Sequence, residues 1–147
     1  MTLDTVSARG ADLVVYAADA LSSAELDALP YGMIQLDSHG IVLRYSSAET
    51  RLSGLSAGET VGRDFFREVA PCTQVGEFFG RFQDGVKARQ LDAVFNFRFS
   101  FRPPKDVRIH MFYSKATRSV WVKVVDLSEG YADGATVDGP IGAGPTA

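Results

Sequence analysis

The stretch "FNFRFSFR" sets four phenylalanines, Phe95, Phe97, Phe99 and Phe101, in strict alternation with polar residues. Successive side chains of a strand point to opposite faces, so a period of two over this length specifies a strand with one apolar face. Just upstream the period changes. In "GEFFGRFQDGVKARQ" the residues Phe78, Phe79, Phe82 and Val86 recur at helical spacing and mark one buried stripe. A chain that switches in this way builds a sheet with helices laid against it.

The remaining segments fit that plan. Ser22 and Glu25 stand in capping-box spacing and predict a short helix through "LDAL". "YGMIQLDSHGIVLRYS" reads as two strands around the turn "DSHG", with Gly40 taking the backbone angle other residues avoid. "SSAETRLSG" opens on a possible cap and closes at Gly54, and "GRDFFREVAP" is a short helix stopped by Pro71. "VRIHMFYSK" and "SVWVKVVDL" follow as two further strands. The order is two strands, a helical middle and three strands, an α+β domain whose antiparallel sheet carries the helices on one face. A small ligand can sit between the two layers. The opening "LVVYAADAL" predicts a short helix or an adherent arm. The last 20 residues fill with Gly, Ala and Pro and read as a flexible tail.

At 147 residues, 46% hydrophobic and 22% charged, the chain suits one soluble domain with a real core. A net charge of −3 without a basic run disfavours nucleic-acid binding. No apolar stretch approaches the roughly 20 residues that span a bilayer, and the N-terminus lacks the form of a secretory signal. A cytoplasmic location is expected, in keeping with an unpaired thiol.

That thiol, Cys72, is the only cysteine and lies in "VAPCT". One cysteine makes neither an internal disulfide nor a structural zinc site. Three readings stay open: a small buried hydrophobe, a nucleophile, or an attachment point. Glu49 follows Ser46 at capping-box spacing and can simply bond the helix start. Tyr45 can be an interior aromatic with a satisfied hydroxyl, and Ser53 before Gly54 a helix-end residue. His39 and His110 read as structural.

"GMIQLDSHGIVLRYSSAE", "VGRDFFREVAPCT", "EFFGRFQDGV" and "VRIHM" before "WVKV" together resemble the photoactive yellow protein family, PAS-domain blue-light receptors of bacteria. The resemblance spans roughly residues 23 to 126. It implies a PAS fold with a five-stranded antiparallel sheet, an N-terminal helical cap over residues 1–28, a photosensory core over 29–127 and a tail over 128–147. It also implies 4-hydroxycinnamic (p-coumaric) acid joined to Cys72 as a thioester. Tyr45 and Glu49 match the pair that hydrogen-bonds the chromophore's phenolic oxygen, and Ser53 stands where a threonine usually supports the tyrosine. Ile34, Phe65, Val69, Ala70, Thr73, Phe99 and Phe101 fall where the family lines its pocket.

A phenol with a pKa near 10 stays neutral in water at pH 7, and burial raises that value further. Holding it as an anion requires donors aimed at its oxygen. Tyr45 can donate, and so can Glu49 while protonated, which an apolar setting favours. The family's light cycle then implies proton transfer from Glu49 and partial release of the cap, the signal being read by an unknown downstream protein. The cap's contacts with the sheet are expected to be few, and the protein to be a monomer or weak dimer. Several positions depart from the pattern. Leu55 replaces a pocket-covering arginine, the "RPPKD" loop lacks a methionine that assists dark recovery, and Thr50 and Arg51 are expected to crowd the phenolate site. Slow recovery follows from the second of these. Two other functions compete: a PAS-type module that binds a small ligand or a partner without covalent attachment, and a thiol enzyme, for which no Cys–His pairing is visible.

Overall fold

A computed structural model describes residues 14–101 and 103–127. The strands are β1 (Gly32–Leu36), β2 (Val42–Tyr45), β3 (Asp92–Phe99), β4 (Lys105–Ser114) and β5 (Ser119–Asp126). They form one antiparallel sheet in the order β2-β1-β5-β4-β3. The first hairpin and the last three strands are therefore brought side by side through the β1–β5 pairing, with Ile34 opposite Val122. This is the five-stranded antiparallel arrangement that the family resemblance implies.

The helices between β2 and β3 are α2 (Ser47–Ser53), α3 (Ala57–Thr60) and α4 (Arg81–Ala88), following α1 (Ser23–Asp27) near the start of the described chain. Several local signals have a visible counterpart. Ser22 and Glu25 form a complete capping box on α1. Gly40 sits at φ 85° in the hairpin turn, and Gly54 at φ 83° closes α2. "FFREV" folds as a single wide π-type turn rather than a regular helix, capped by Asp64, whose Oδ1 accepts from the Phe66 and Arg67 N–H groups. A second wide turn, Gly76–Gly80, leads into α4. Phe78 and Phe82 are buried as the stripe predicts, while Phe79 and Val86 are only partly covered.

Two apolar clusters lie on opposite faces of the sheet. The inner cluster joins Ile34, Leu36, Tyr45, Phe65, Phe66, Phe78, Phe82 and Phe99 with Val42, Val107, Val120, Val122, Val124 and Met111 of the sheet. Phe95, Phe97 and Phe101 pack against it, so the alternating phenylalanines share one face. The strand itself ends at Phe99, and Phe101 continues it by stacking on Phe99, ring centroids 4.7 Å apart.

The outer cluster is built around Trp121, Met33, Val125, Leu26 and Tyr31, closed by Val15 and Ala18 of a 3-10 turn over Val15–Ala20. The opening segment is thus an adherent arm, and it covers the face that the other helices leave open. Its contacts are more numerous than expected. Val15 and Ala18 are wholly buried, and Asp19 accepts from Trp121 Nε1 at 2.8 Å, from Thr117 Oγ1 at 3.1 Å and from the Ser114 hydroxyl. Tyr16 donates to Asp92 at 2.8 Å. The first 13 residues of the expected cap and the tail over 128–147 lie outside the described residues.

Candidate functional site

Ser46 is the pivot of the site. It follows the last residue of β2 and precedes the first of α2. Its N–H donates to the Met33 carbonyl at 3.0 Å, and its hydroxyl accepts the Met33 N–H at 3.0 Å. The same hydroxyl caps α2 by accepting the Glu49 N–H at 3.4 Å. Strand end and helix start are consequently locked to β1, with Ser46 fully buried. This lock places Tyr45 at the end of β2 and Glu49 in the first turn of α2, both directed to the inner face.

The lock also decides between the readings of Glu49. A capping-box glutamate bonds the N-cap N–H, but at Ser46 that N–H is already committed to Met33. The Glu49 carboxyl instead enters the protein. Its side chain is fully buried, and Oε1 meets no hydrogen-bond donor. Burial without a partner favours the neutral acid, and the Glu49 pKa is pushed up from 4.5 to about 8 by desolvation.

Tyr45 lies beside Ile34 in the β1–β2 register and is almost wholly buried. Desolvation raises its pKa well above the ordinary tyrosine value, the neighbouring Glu49 raises it further, and the bond to Ser53 opposes both. The Tyr45 hydroxyl lies 2.7 Å from Ser53 Oγ, and Ser53 Oγ accepts the Leu55 N–H at 3.1 Å. A hydroxyl has one proton and two lone pairs. Either hydroxyl can be the donor of the Tyr45–Ser53 bond; when Ser53 gives its proton, the tyrosine O–H is left to donate elsewhere.

Cys72 occupies a 3-10 turn, Pro71–Thr73, that follows the wide Phe65–Val69 turn. Ala70 N–H closes on the Phe65 carbonyl at 2.8 Å, and the buried Thr73 hydroxyl donates to the Ala70 carbonyl at 2.6 Å. Thr73 therefore supports the turn. The thiol is half-buried against the inner cluster, and its sulfur accepts the Ser100 N–H at 3.5 Å, at the end of β3.

Of the residues singled out in the sequence, Ile34, Tyr45, Phe65, Ala70 and Phe99 belong to the buried inner cluster, with Val69, Cys72 and Phe101 packed on it. Glu49 is buried beside β1 and Ser53 bonds Tyr45. Arg51 is exposed and lines a surface pocket of about 350 Å3 with Gly32, Leu52, Lys105 and Asp126. His110 bonds Asp92 at 2.7 Å and meets the edge of Tyr16, on the face opposite Cys72. His39 lines another surface pocket with Arg67 and Phe79. Sequence reasoning missed Gly32, against which the Glu49 carboxyl rests; a glycine opening a strand is the signal that could have found it.

A buried acid, a buried tyrosine bonded to Ser53 and a half-buried thiol thus lie in or beside the inner side of one sheet. The PAS fold family matches residues 21–124. Photoactive yellow protein of Rhodothalassium salexigens is 38% identical over 116 residues, covering 78% of this chain and 93% of that protein. The chain belongs to the photoactive yellow protein family. The relative from Halochromatium salexigens is 36% identical over the same coverage. Among solved structures, the photoactive yellow protein domain of the sensor histidine kinase Ppr from Rhodospirillum centenum superposes with a TM-score of 0.70 and 44% identity, covering 76% of this chain and 96% of that one. The photoactive yellow protein family comprises photosensors within the PAS sensory fold. Among the described residues, no helix is long and apolar enough to cross a membrane.

Proposed function

We propose that this chain is a blue-light photoreceptor carrying p-coumaric acid as a thioester on Cys72. The observation that carries the reading is the fully buried Glu49 carboxyl, with one oxygen facing no donor. An orphaned polar atom in a core costs about 1–3 kcal/mol, and native proteins retain few of them without a use. The donor set fits the cofactor. A phenolate oxygen would accept from Tyr45 and from protonated Glu49, with Ser53 supporting Tyr45. Ile34, Phe65, Val69, Ala70, Thr73, Phe99 and Phe101 would enclose the ring and its linkage. When bound, the cofactor supplies a blue-absorbing double bond that isomerises from trans to cis and an oxygen that accepts a proton.

The chain's own residues do the rest. Cys72 fixes one end of the cofactor in a turn braced by Thr73, while Tyr45 and Glu49 hold the other. Loss of the Glu49 proton leaves a carboxylate in an apolar cluster, a state that costs several kcal/mol against a typical domain stability of about 5–15 kcal/mol. Rehydrating that charge by local opening relieves the cost. Within the expected cap over residues 1–28, the described arm, residues 14–28, is the element that opens, since Tyr16 and Asp19 are exposed and water can replace their hydrogen bonds. Its release is the signal to a downstream protein, and the chain acts as a sensor rather than an enzyme, in the cytoplasm.

The test is absorbance of protein supplied with activated p-coumaric acid. A visible band that bleaches in blue light, matched by added mass on Cys72 and lost in Cys72→Ala, is expected. Colourless protein with an unmodified thiol contradicts the reading and selects a PAS-type module that binds without covalent attachment. Thiol catalysis is disfavoured because the described polar contact of Cys72 is with the Ser100 N–H, not with an activating base.

A further inference from the structure

We propose that Gly32 is a positioning residue for Glu49: the missing side chain at position 32 admits the acid to its buried seat, and any Cβ there withdraws the acid from the chromophore's oxygen. Gly32 opens β1 opposite Val124, on the same face as Ile34. A Cβ at this position would overlap Glu49 Oε1 outright and lie 3.1 Å from its Cδ and 3.2 Å from its Cβ. Three atoms of one side chain are affected, the innermost included, so turning the terminal carboxyl does not clear the contact. Retreat of the helix is opposed as well. Ser46 ties the start of α2 to Met33 through two hydrogen bonds, and Asp27 accepts the Ser47 N–H at 2.9 Å.

The backbone does not ask for glycine here. The described glycines with left-handed angles are Gly40, Gly54 and Gly62, and Gly32 is not among them. What position 32 requires is space alone, and Glu49 occupies that space. Gly85 offers the contrast, because its absent side chain makes room for the apolar Leu91, which is ordinary packing. At Gly32 the room goes to a polar group with an oxygen that lacks a donor. The inference rests on the photoreceptor reading for its chromophore, but the contact between positions 32 and 49 is testable without pigment.

The experiment is a double-mutant cycle in colourless protein, followed by pigment loading. Urea unfolding would compare Gly32→Ala in the parent and in a Glu49→Ala background. A loss of about tenfold or more in the folding equilibrium constant is expected in the parent, falling to about threefold or less when Glu49 is absent. Equal losses in both backgrounds would overturn the proposal. If Gly32→Ala alone does not fold, recovery of folding in the double variant supports it, and failure to recover overturns it. In the second arm, loaded Gly32→Ala should keep its mass increment on Cys72 while its main band moves to longer wavelength, because an anion that loses a donor at its oxygen spreads its charge along the conjugated chain. An unmoved band overturns the positioning role. Parent protein that takes up no pigment would sink the photoreceptor reading while the cycle still reports on Gly32 and Glu49.

Discussion

On the inner face of the sheet, Glu49 is fully buried with one oxygen facing no donor, whereas on the outer face Asp19 collects hydrogen bonds from Ser114, Thr117 and Trp121. One sheet therefore carries two acids in opposite condition. Asp19 is exposed and well supplied with donors, so it clasps the arm, and solvent could take over its bonds if the arm left. Glu49 is dry and under-supplied, so ionising it is expensive, and the expense is felt by the whole fold. The difference teaches where a light-driven proton movement would act and where the structure would yield. In the proposed light cycle the cost would arise on the inner face and release would occur on the outer one.

The largest expected effect is on Glu49 itself. The unfolded chain releases this proton near pH 4.5, while the folded colourless protein keeps it to about pH 8. Stability contributed by Glu49 is therefore complete below pH 4.5, declines as pH rises and is gone by about pH 8. The slope within that window is about 1.4 kcal/mol per pH unit, a total of several kcal/mol. Urea unfolding of parent and Glu49→Gln proteins across this range should show the slope only in the parent. A parent curve parallel to that of Glu49→Gln would remove the contrast between the two acids.

Next comes the clasp. Asp19→Ala leaves the buried Trp121 indole N–H without its acceptor and should cost about 1–2 kcal/mol. Trp121 is the only tryptophan, so its fluorescence should report a loosened arm in the dark, while the pH slope from Glu49 stays unchanged. A changed slope would show that the two faces are not separable. The smallest effect is expected at Ser53. Ser53→Ala removes the 2.7 Å bond to Tyr45 and should cost about 1 kcal/mol or less in urea unfolding. In pigment-loaded protein it should also shift the absorbance band slightly, because Tyr45 loses its hydroxyl partner. A band identical to the parent's would deny Ser53 that supporting part.

Much of the inner face was legible in the sequence because its signals are local. The Phe95–Phe101 alternation, the serine caps and the glycines that end turns each declare themselves within a few residues, and the family resemblance supplied the order of Tyr45, Glu49, Ser53 and Cys72. The direction of the Glu49 carboxyl was not legible. Spacing allowed a capping box, and the alternative was decided by Met33, which occupies the Ser46 N–H from a neighbouring strand. The outer face was less legible still. Asp19 meets Trp121 across 102 positions of sequence, and no pattern near either residue announces the bond. Gly32 was overlooked for a related reason, since its importance lies in what fills the space above it.

The most direct measurement is a light-minus-dark infrared difference spectrum of protein loaded with p-coumaric acid. The account predicts a protonated-carboxyl band that is lost on illumination, with a carboxylate band appearing in its place, and both features absent from Glu49→Gln. A parent spectrum with no carboxyl loss, or one that Glu49→Gln reproduces, would contradict it.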